Sequence, residues 1–191
     1  MKNSDESKDL SGKFLIAMPA MADPRFERSV VFLCSHSSEG TMGIIINKMM
    51  PDLGFATLLD QLEIARGPSV RDVGVHFGGP VEHGRGFVLH SDDFIDPNGT
   101  MVIPGGFAMT ATQGILKALA QGSGPNQALL ALGYAGWGPG QLDAEIMRND
   151  WLTCDASDKI VFARDNGGKW AAALRVLGVD PITLSAAAGR A

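Results

Sequence analysis

Apolar residues occur in short unbroken runs through the first quarter of the chain. Residues 14–18 form one run that stops at Pro19, and residues 29–35 form a second that is rich in β-branched and aromatic side chains. Such runs are typical of buried strands. A polar loop containing a glycine separates the second run from residues 42–47. We therefore predict that 29–35 and 42–47 pair as an antiparallel hairpin.

Beyond Pro51 the spacing of apolar residues changes to that of helices. Within residues 55–62, apolar side chains recur at i, i+3, i+4 and i+7, which predicts one buried helical face. Thr110 and Gln113 have the spacing of a capping box in front of a second helix. The same criteria predict further strands at 73–77, 86–90, 128–134 and 159–162, a helix with Pro139 in its first turn, and a last helix around Trp170 that ends at Gly178.

Hairpins mixed with isolated helices indicate an α+β fold, with a mixed or antiparallel sheet flanked by several helices. A chain of 191 residues fits one domain, and no linker or repeat interrupts residues 11–180. Residues 1–10 are polar and have little to bury, so we predict a disordered N-terminal tail there. The prediction is a single domain over residues 11–191.

The charge of the chain limits its partners. The net charge is −5, and lysines and arginines are scattered rather than clustered. Direct nucleic-acid binding is therefore not expected, because it needs a basic face that displaces counterions from phosphates. The N-terminus lacks the apolar core of a signal peptide, and no apolar stretch is long enough to span a bilayer. We expect a cytoplasmic protein with no membrane association and with reduced thiols at Cys34 and Cys154.

Several common chemistries leave no trace in the sequence. It contains no nucleophile elbow, no Walker loop, no His-Glu-x-x-His and no Cys-x-x-Cys. Gly78-Gly79-Pro80 predicts a tight turn rather than a phosphate cradle, because Pro80 lacks the N–H that a cradle needs. The spacings of the four histidines match no zinc or iron pattern. We therefore expect neither a metal nor another cofactor.

Cys34-Ser35-His36 is the segment whose residue types are the best candidates for chemical reactivity. In a regular strand residues 34 and 36 point to the same side, so the thiol and the imidazole could approach one another. An imidazolium neighbour would lower the thiol pKa and make Cys34 a redox-active or nucleophilic group. Alternatively, Cys34 is a small core residue on the same face as Val30 and Phe32, a common role for a free cysteine.

Polar and aromatic residues near strand ends are the candidates for a binding site, because loops and strand ends carry many binding residues. Each also has a structural interpretation: local hydrogen bonding, solvation or core packing. The predicted ligand- or partner-binding residues are Asn47, Lys48, Arg85, His90, Tyr134 and Trp137.

Several sequence blocks are long enough to be specific, and they include residues 12–19 (GKFLIAMP), 42–48 (MGIIINK), 77–81 (FGGPV), 85–91 (RGFVLHS), 131–137 (ALGYAGW) and 140–146 (GQLDAEI). In content and order they resemble the YqgE/AlgH family, over about residues 11–185. The resemblance implies a compact α+β fold with a barrel-like sheet. One branch of the family is linked to control of exopolysaccharide synthesis, but the resemblance supplies no established catalytic residue. The segment Lys48–Pro51 departs from the family pattern, which predicts a different pocket wall there.

Two functional hypotheses follow. The first is a non-enzymatic regulatory protein that acts through a protein partner or a small ligand, with any effect on transcription being indirect. The second is a thiol-based redox sensor or enzyme that uses Cys34 and His36. The reactivity of the Cys34 thiol distinguishes them, because only the second requires a thiolate at neutral pH.

Overall fold

The computed structural model describes residues 8–188, with side chains described as far as residue 184. Most of the predicted tail of residues 1–10 therefore lies outside the described residues, and Leu10 at its end is buried. The strands are β1 (Lys13–Ala17), β2 (Val30–Ser37), β3 (Gly40–Ile45), β4 (Val75–Phe77), β5 (Val81–Ser91), β6 (Thr100–Ile103), β7 (Phe107–Thr110), β8 (Ala128–Trp137) and β9 (Trp151–Asp155). The helices are α1 (Phe55–Gln61), α2 (Gln113–Ala120), α3 (Gln141–Met147), α4 (Asp158–Val161), α5 (Lys169–Val176) and α6 (Pro181–Ala188).

The strands form one curled, half-barrel sheet in the order β6-β7-β5-β8-β3-β2-β1-β9, and every pairing along this path is antiparallel. The predicted α+β class is confirmed. The predicted hairpin of residues 29–35 and 42–47 is confirmed as well, since β2 and β3 pair antiparallel with Val31 opposite Ile45.

Both faces of the β1–β2–β3 region are buried, which explains why its strands read as continuous apolar runs. Phe14, Phe32 and Ile44 face an inner core that also contains residues of β5, β7 and α5. Their neighbours in sequence face an outer core, which is lined by Leu15, Val31, Leu33, Ile45, Trp137, Leu142 and Trp151. A strand between two apolar layers needs no polar side chains, unlike a strand with one face in water.

Strand β4 lies in a fork of the sheet, and this position explains the Gly-Gly-Pro turn. Strand β8 pairs with β3 through residues 135–137 and with β4, in parallel, through residues 130–132. At the fork, Gly78 donates its N–H to Leu132 and accepts an N–H from Ile45, each at 2.8 Å. A Cβ on Gly78 would lie 2.2 Å from the carbonyl oxygen of Gly133. The main chain at Gly78 and that of β8 at Gly133 therefore approach closely only because both residues are glycine.

Three local predictions were wrong. Residues 159–162 do not form a strand: helix α4 covers most of them, since so short an apolar run fits either structure. Thr110 does not cap α2, because it is the last residue of β7, and the N-cap position belongs to Thr112. Pro139 precedes the N-cap of α3, Gly140, instead of starting the helix. Gly178, with φ +71°, does end α5 as expected.

Candidate functional site

Asn47 and Lys48 fasten the segment that precedes β2. The side-chain oxygen of Asn47 accepts the N–H of Val30, and its amide nitrogen donates to the carbonyl of Arg28, both at 2.9 Å. Lys48 donates through Nζ to the carbonyl of Arg25 at 3.0 Å. Partial burial lowers the pKa of Lys48, against the attraction of Glu27 and Asp23. These two candidates bond the main chain and hold a loop.

His90 is fully buried in a chain of hydrogen bonds. Burial is the main cause that lowers its pKa, so the ring is neutral at pH 7. A neutral ring then donates through Nδ1 to the carbonyl of Ser91 and accepts at Nε2 from the hydroxyl of Thr110, both at 2.7 Å. Thr110 in turn lies 2.7 Å from the hydroxyl of Thr100. Both ring nitrogens have internal partners, as in a structural histidine.

Trp137 belongs to an aromatic cluster in the outer core, and with Phe26 and Trp151 it also lines a cavity of about 500 Å³. Its ring is 6% exposed, and its Nε1 donates to Oε2 of Glu145 at 2.9 Å. Trp151 donates to the same oxygen at the same distance, and Phe26 contacts both indoles. A buried ring of this kind is no exposed platform. Trp137 and Glu145 anchor α3 to the sheet instead.

Cys34 and His36 lie on opposite faces of the sheet. A β-bulge shifts the register between Leu33 and Ser35, so the regular alternation that predicted a shared side does not hold. Cys34 is 3% exposed in the inner core. The imidazole of His36 points the other way, with Nδ1 2.7 Å from the hydroxyl of Thr41 and Nε2 3.9 Å from Asp143. The thiol–imidazole pair that the alternative hypothesis requires is not formed.

We expect native Cys34 to react slowly with a small alkylating reagent, at a rate set by opening of the core. Burial raises the pKa of its thiol to about 12, so almost no thiolate exists at neutral pH. Cys34→Ala should cost about 1 kcal/mol of stability through lost packing. Labelling followed by mass spectrometry measures the rate, and His36→Ala is the control. Fast labelling that this substitution abolishes would contradict the packing role.

Arg85 and Tyr134 come together where β5 leaves the sheet beside β8. Both line a cavity of about 390 Å³. The guanidinium of Arg85 lies 5.1 Å above the ring of Phe87, and Phe87 and Tyr134 meet edge to face. Of the six candidate binding residues, these two share an open cavity on the inner side of the sheet.

A second cavity, of about 440 Å³, surrounds a residue that the sequence did not single out. Lys169, the first residue of α5, is 1% exposed. Its Nζ donates to the carbonyl oxygens of Ile46 at 2.9 Å and Val161 at 2.8 Å. Within residues 8–188, no carboxylate lies within salt-bridge distance of this amine. Burial lowers its pKa to about 8, and the more distant Asp165 only partly opposes the shift.

His76 lies in the wall of the same cavity. Burial, followed by the charge of Lys169, lowers its pKa, so its ring is neutral. Nδ1 faces the carbonyl oxygens of Gly74 and Leu130, each at 3.1 Å, and therefore carries the ring proton. Nε2 is then an acceptor. The atom of Asn166 that lies 3.0 Å from Nε2 is Oδ1, so Asn166 donates to this nitrogen only when its carboxamide is turned to bring the NH₂ to the ring.

The lining of the Lys169 cavity is positive, although the whole chain is acidic. Lys169, Arg71 and Arg164 line it, against the single carboxylate of Asp72. Arg71 already donates to the carbonyls of Pro125 and Asn126. The other polar side chains of the lining are the imidazole of His76 and three carboxamides, whose NH₂ groups can donate hydrogen bonds to the oxygens of a ligand. In the part of the chain that the structure describes, no cluster of three or more histidine, cysteine or acidic side chains has a metal-binding arrangement.

A family model described as AlgH-like matches residues 14–182. The chain belongs to the AlgH-like family. Among curated relatives, a UPF0301 protein of Cereibacter sphaeroides is 60% identical over 183 residues, which is 96% of this chain and all of the relative. A UPF0301 protein of Paracoccus denitrificans is 54% identical, over 98% of this chain and all of its own length.

One solved structure supports the same assignment, and a second shares the fold. The solution structure of AlgH from Pseudomonas aeruginosa is 41% identical, covers 97% of both chains, and superposes with a TM-score of 0.77. A crystal structure of a Corynebacterium diphtheriae protein, 23% identical, covers 91% of this chain and 88% of its own, with a TM-score of 0.69. The second likeness concerns the fold alone. No helix among the described residues of this AlgH-like chain has the length and apolar character needed to cross a membrane.

One residue of the segment 48–51, for which the sequence predicts a different pocket wall, lies in the wall of the Lys169 cavity. Met49 forms an isolated bridge with His76 and lines the cavity. Its side chain is among the exposed large apolar residues of the described chain. Lys169 itself gave no signal in the sequence, since it precedes Trp170 in an ordinary amphipathic helix. Its partners, Ile46 and Val161, lie in other elements.

Proposed function

We propose that this AlgH-like protein is a non-enzymatic regulatory protein that binds a small anionic ligand in the Lys169 cavity. The observation that carries the proposal is the buried amine of Lys169, which among the described residues has two carbonyl partners and no carboxylate. A buried cation without a counter-ion is costly, because the lost hydration is not replaced. An anion in the cavity supplies the missing charge.

The number of hydrogen-bond donors on the amine supports the same proposal. An ammonium group has three N–H donors, and Ile46 and Val161 accept two of them. The third donor has no partner in the part of the chain that the structure describes, and it is available to a ligand in the cavity that Lys169 lines. A carboxylate or phosphate oxygen would accept this N–H in a short, charge-assisted hydrogen bond. Either group satisfies the site, and the class shared by both is a small oxyanion.

The surroundings of Lys169 favour an anion over a neutral ligand. Arg164 is exposed at the cavity and adds a second positive charge, while the neutral ring of His76 adds none. The whole chain carries a net charge of −5, so this local positive field guides small anions to one place. The same acidic balance disfavours direct contact with nucleic acid, so any effect on transcription would be indirect and pass through a partner.

We expect inorganic phosphate or succinate to shift NMR signals of His76 and of the Lys169 amine. Lys169→Met should weaken binding at least about tenfold, because it removes one charge-assisted hydrogen bond. Arg164→Gln, a surface change that spares the core, should weaken it a few-fold. Titration of labelled protein with each anion measures both effects.

Lys159→Met is the matched control, because Lys159 is an exposed lysine of the neighbouring helix α4. It should leave the affinity unchanged. The proposal is wrong if neither anion shifts the signals of the cavity residues at millimolar concentration. It is also wrong if Lys169→Met and Arg164→Gln both bind the anions as tightly as the wild type does. Comparison of phosphate with succinate then shows which oxyanion the cavity prefers.

A further inference from the structure

The Arg85 cavity lies apart from Lys169 and is apolar except at one end. Three methionines and two aromatic residues are among the residues that line it, which include Met42, Phe87, Met101, Met109, Tyr134 and Arg85. Methionine side chains are flexible and polarisable, so they adapt to apolar ligands of different shape. At about 390 Å³ the cavity is within the size range of small-molecule sites.

Arg85 is the one charged residue that lines this cavity. Its guanidinium is held above the ring of Phe87 at 5.1 Å, which fixes the group at the edge of the apolar surface. Its ion pair with Glu82 is long, at 3.4 Å, and both side chains are about half exposed. Such a surface pair is weak, so the guanidinium remains able to bind a ligand carboxylate.

We infer that this cavity binds a monocarboxylate with an aromatic or aliphatic body, the carboxylate meeting Arg85 and the body lying among the methionines. The phenol of Tyr134, which lines the cavity beside Phe87, adds a second donor near Arg85. A water-sized group takes up about 30 Å³, so a cavity of about 390 Å³ holds roughly thirteen such groups. Phenylbutyrate has the right charge and size, and phenylbutanol is its uncharged counterpart.

The test is an NMR titration of the full chain with phenylbutyrate and with phenylbutanol. We expect the acid to bind about tenfold more tightly than the alcohol, because a charge-assisted hydrogen bond supplies about this factor. Shifts should map to Phe87, Met101 and Met109. Arg85→Gln should remove the preference for the acid and leave the alcohol unaffected.

Two further variants separate the charges at the mouth of the cavity. Glu82→Gln removes the competing carboxylate and should strengthen phenylbutyrate binding, with no effect on phenylbutanol. Arg66→Gln is the control, because Arg66 is a surface arginine paired with Asp60 elsewhere. The inference is overturned if acid and alcohol bind equally, if Arg85→Gln keeps the preference, if the shifts map to another surface, or if neither compound binds. Loss of phosphate binding in Lys169→Met leaves this result untouched.

Discussion

Gly79→Ala is expected to lower the free energy of unfolding by more than about 4 kcal/mol, a large part of the stability of an ordinary domain. Gly79 has φ +155°, and a Cβ placed there would lie 2.1 Å from the carbonyl carbon of Tyr134. The main chain at residue 79 cannot easily move away from Tyr134, because the neighbouring Gly78 is hydrogen-bonded to both Leu132 and Ile45. Urea unfolding followed by tryptophan fluorescence measures the loss.

Two other glycines separate the steric effect from backbone strain. Gly140 has φ +69° and open space around its Cβ position, so Gly140→Ala should cost about 1 kcal/mol of strain alone. Gly84 has open space and no positive φ, so Gly84→Ala should change stability by less than about 0.5 kcal/mol. If Gly79→Ala lowers the free energy of unfolding no more than Gly140→Ala does, the close approach of Gly79 to the main chain of β8 is not important for stability.

The hairpin of β2 and β3 was predictable because its determinants are local. Apolar runs define both strands, and a short polar loop joins them. The fork in the sheet was not predictable, since it depends on contacts between residues far apart in sequence. Gly78-Gly79-Pro80 reads as a turn from sequence alone, and only the pairing of β4 with β8 shows why glycine is needed at these positions.

Cys34 and His36 do not follow the alternation of a regular strand. The run that precedes Cys34 predicted the packing role correctly, since Val30, Phe32 and Cys34 do share the inner core. The step from Cys34 to His36 assumed a regular strand. One bulged residue reverses the side on which every later side chain lies, and nothing in the local sequence marks it.

The two candidate cavities differ in how many of their residues could be predicted from the sequence. Arg85 and Tyr134 were singled out separately as residues near strand ends, and the pairing of β5 with β8 brings them together. Lys169 was not found, because a lysine in an amphipathic helix normally points to solvent. Its bond to Ile46 spans 123 positions of the chain. Only the tertiary structure shows that this amine is buried.

Burial of Lys169 predicts a distinct dependence of stability on pH. Its pKa is about 8 in the folded protein and near 10.5 when exposed. Below pH 8 both states hold the proton, and the cost of the buried charge is fully present. Between pH 8 and 10.5 the folded state releases the proton first, so the contribution of Lys169 to stability rises with pH. A gap of about 2.5 corresponds to about 3 kcal/mol.

The two cysteines act in the opposite direction over part of this range. Burial raises the pKa of Cys34 to about 12 and that of Cys154 to about 11, so their contribution falls as the pH rises above about 9. Their effect cancels in the difference between wild type and Lys169→Met, since both proteins contain them. That difference should increase by about 3 kcal/mol from pH 8 to 10.5, by urea unfolding at each pH.

Phosphate provides the last step of the test. An anion bound beside Lys169 favours the charged amine, so it should raise the pKa of Lys169 and move the increase in stability to higher pH. The wild type should then take up a proton as phosphate binds at about pH 8.5, which calorimetry in buffers of different ionisation enthalpy detects. Lys169→Met should show no uptake. Parallel pH curves for wild type and variant would mean that Lys169 carries its charge at no cost and needs no anion, which would contradict the proposed function.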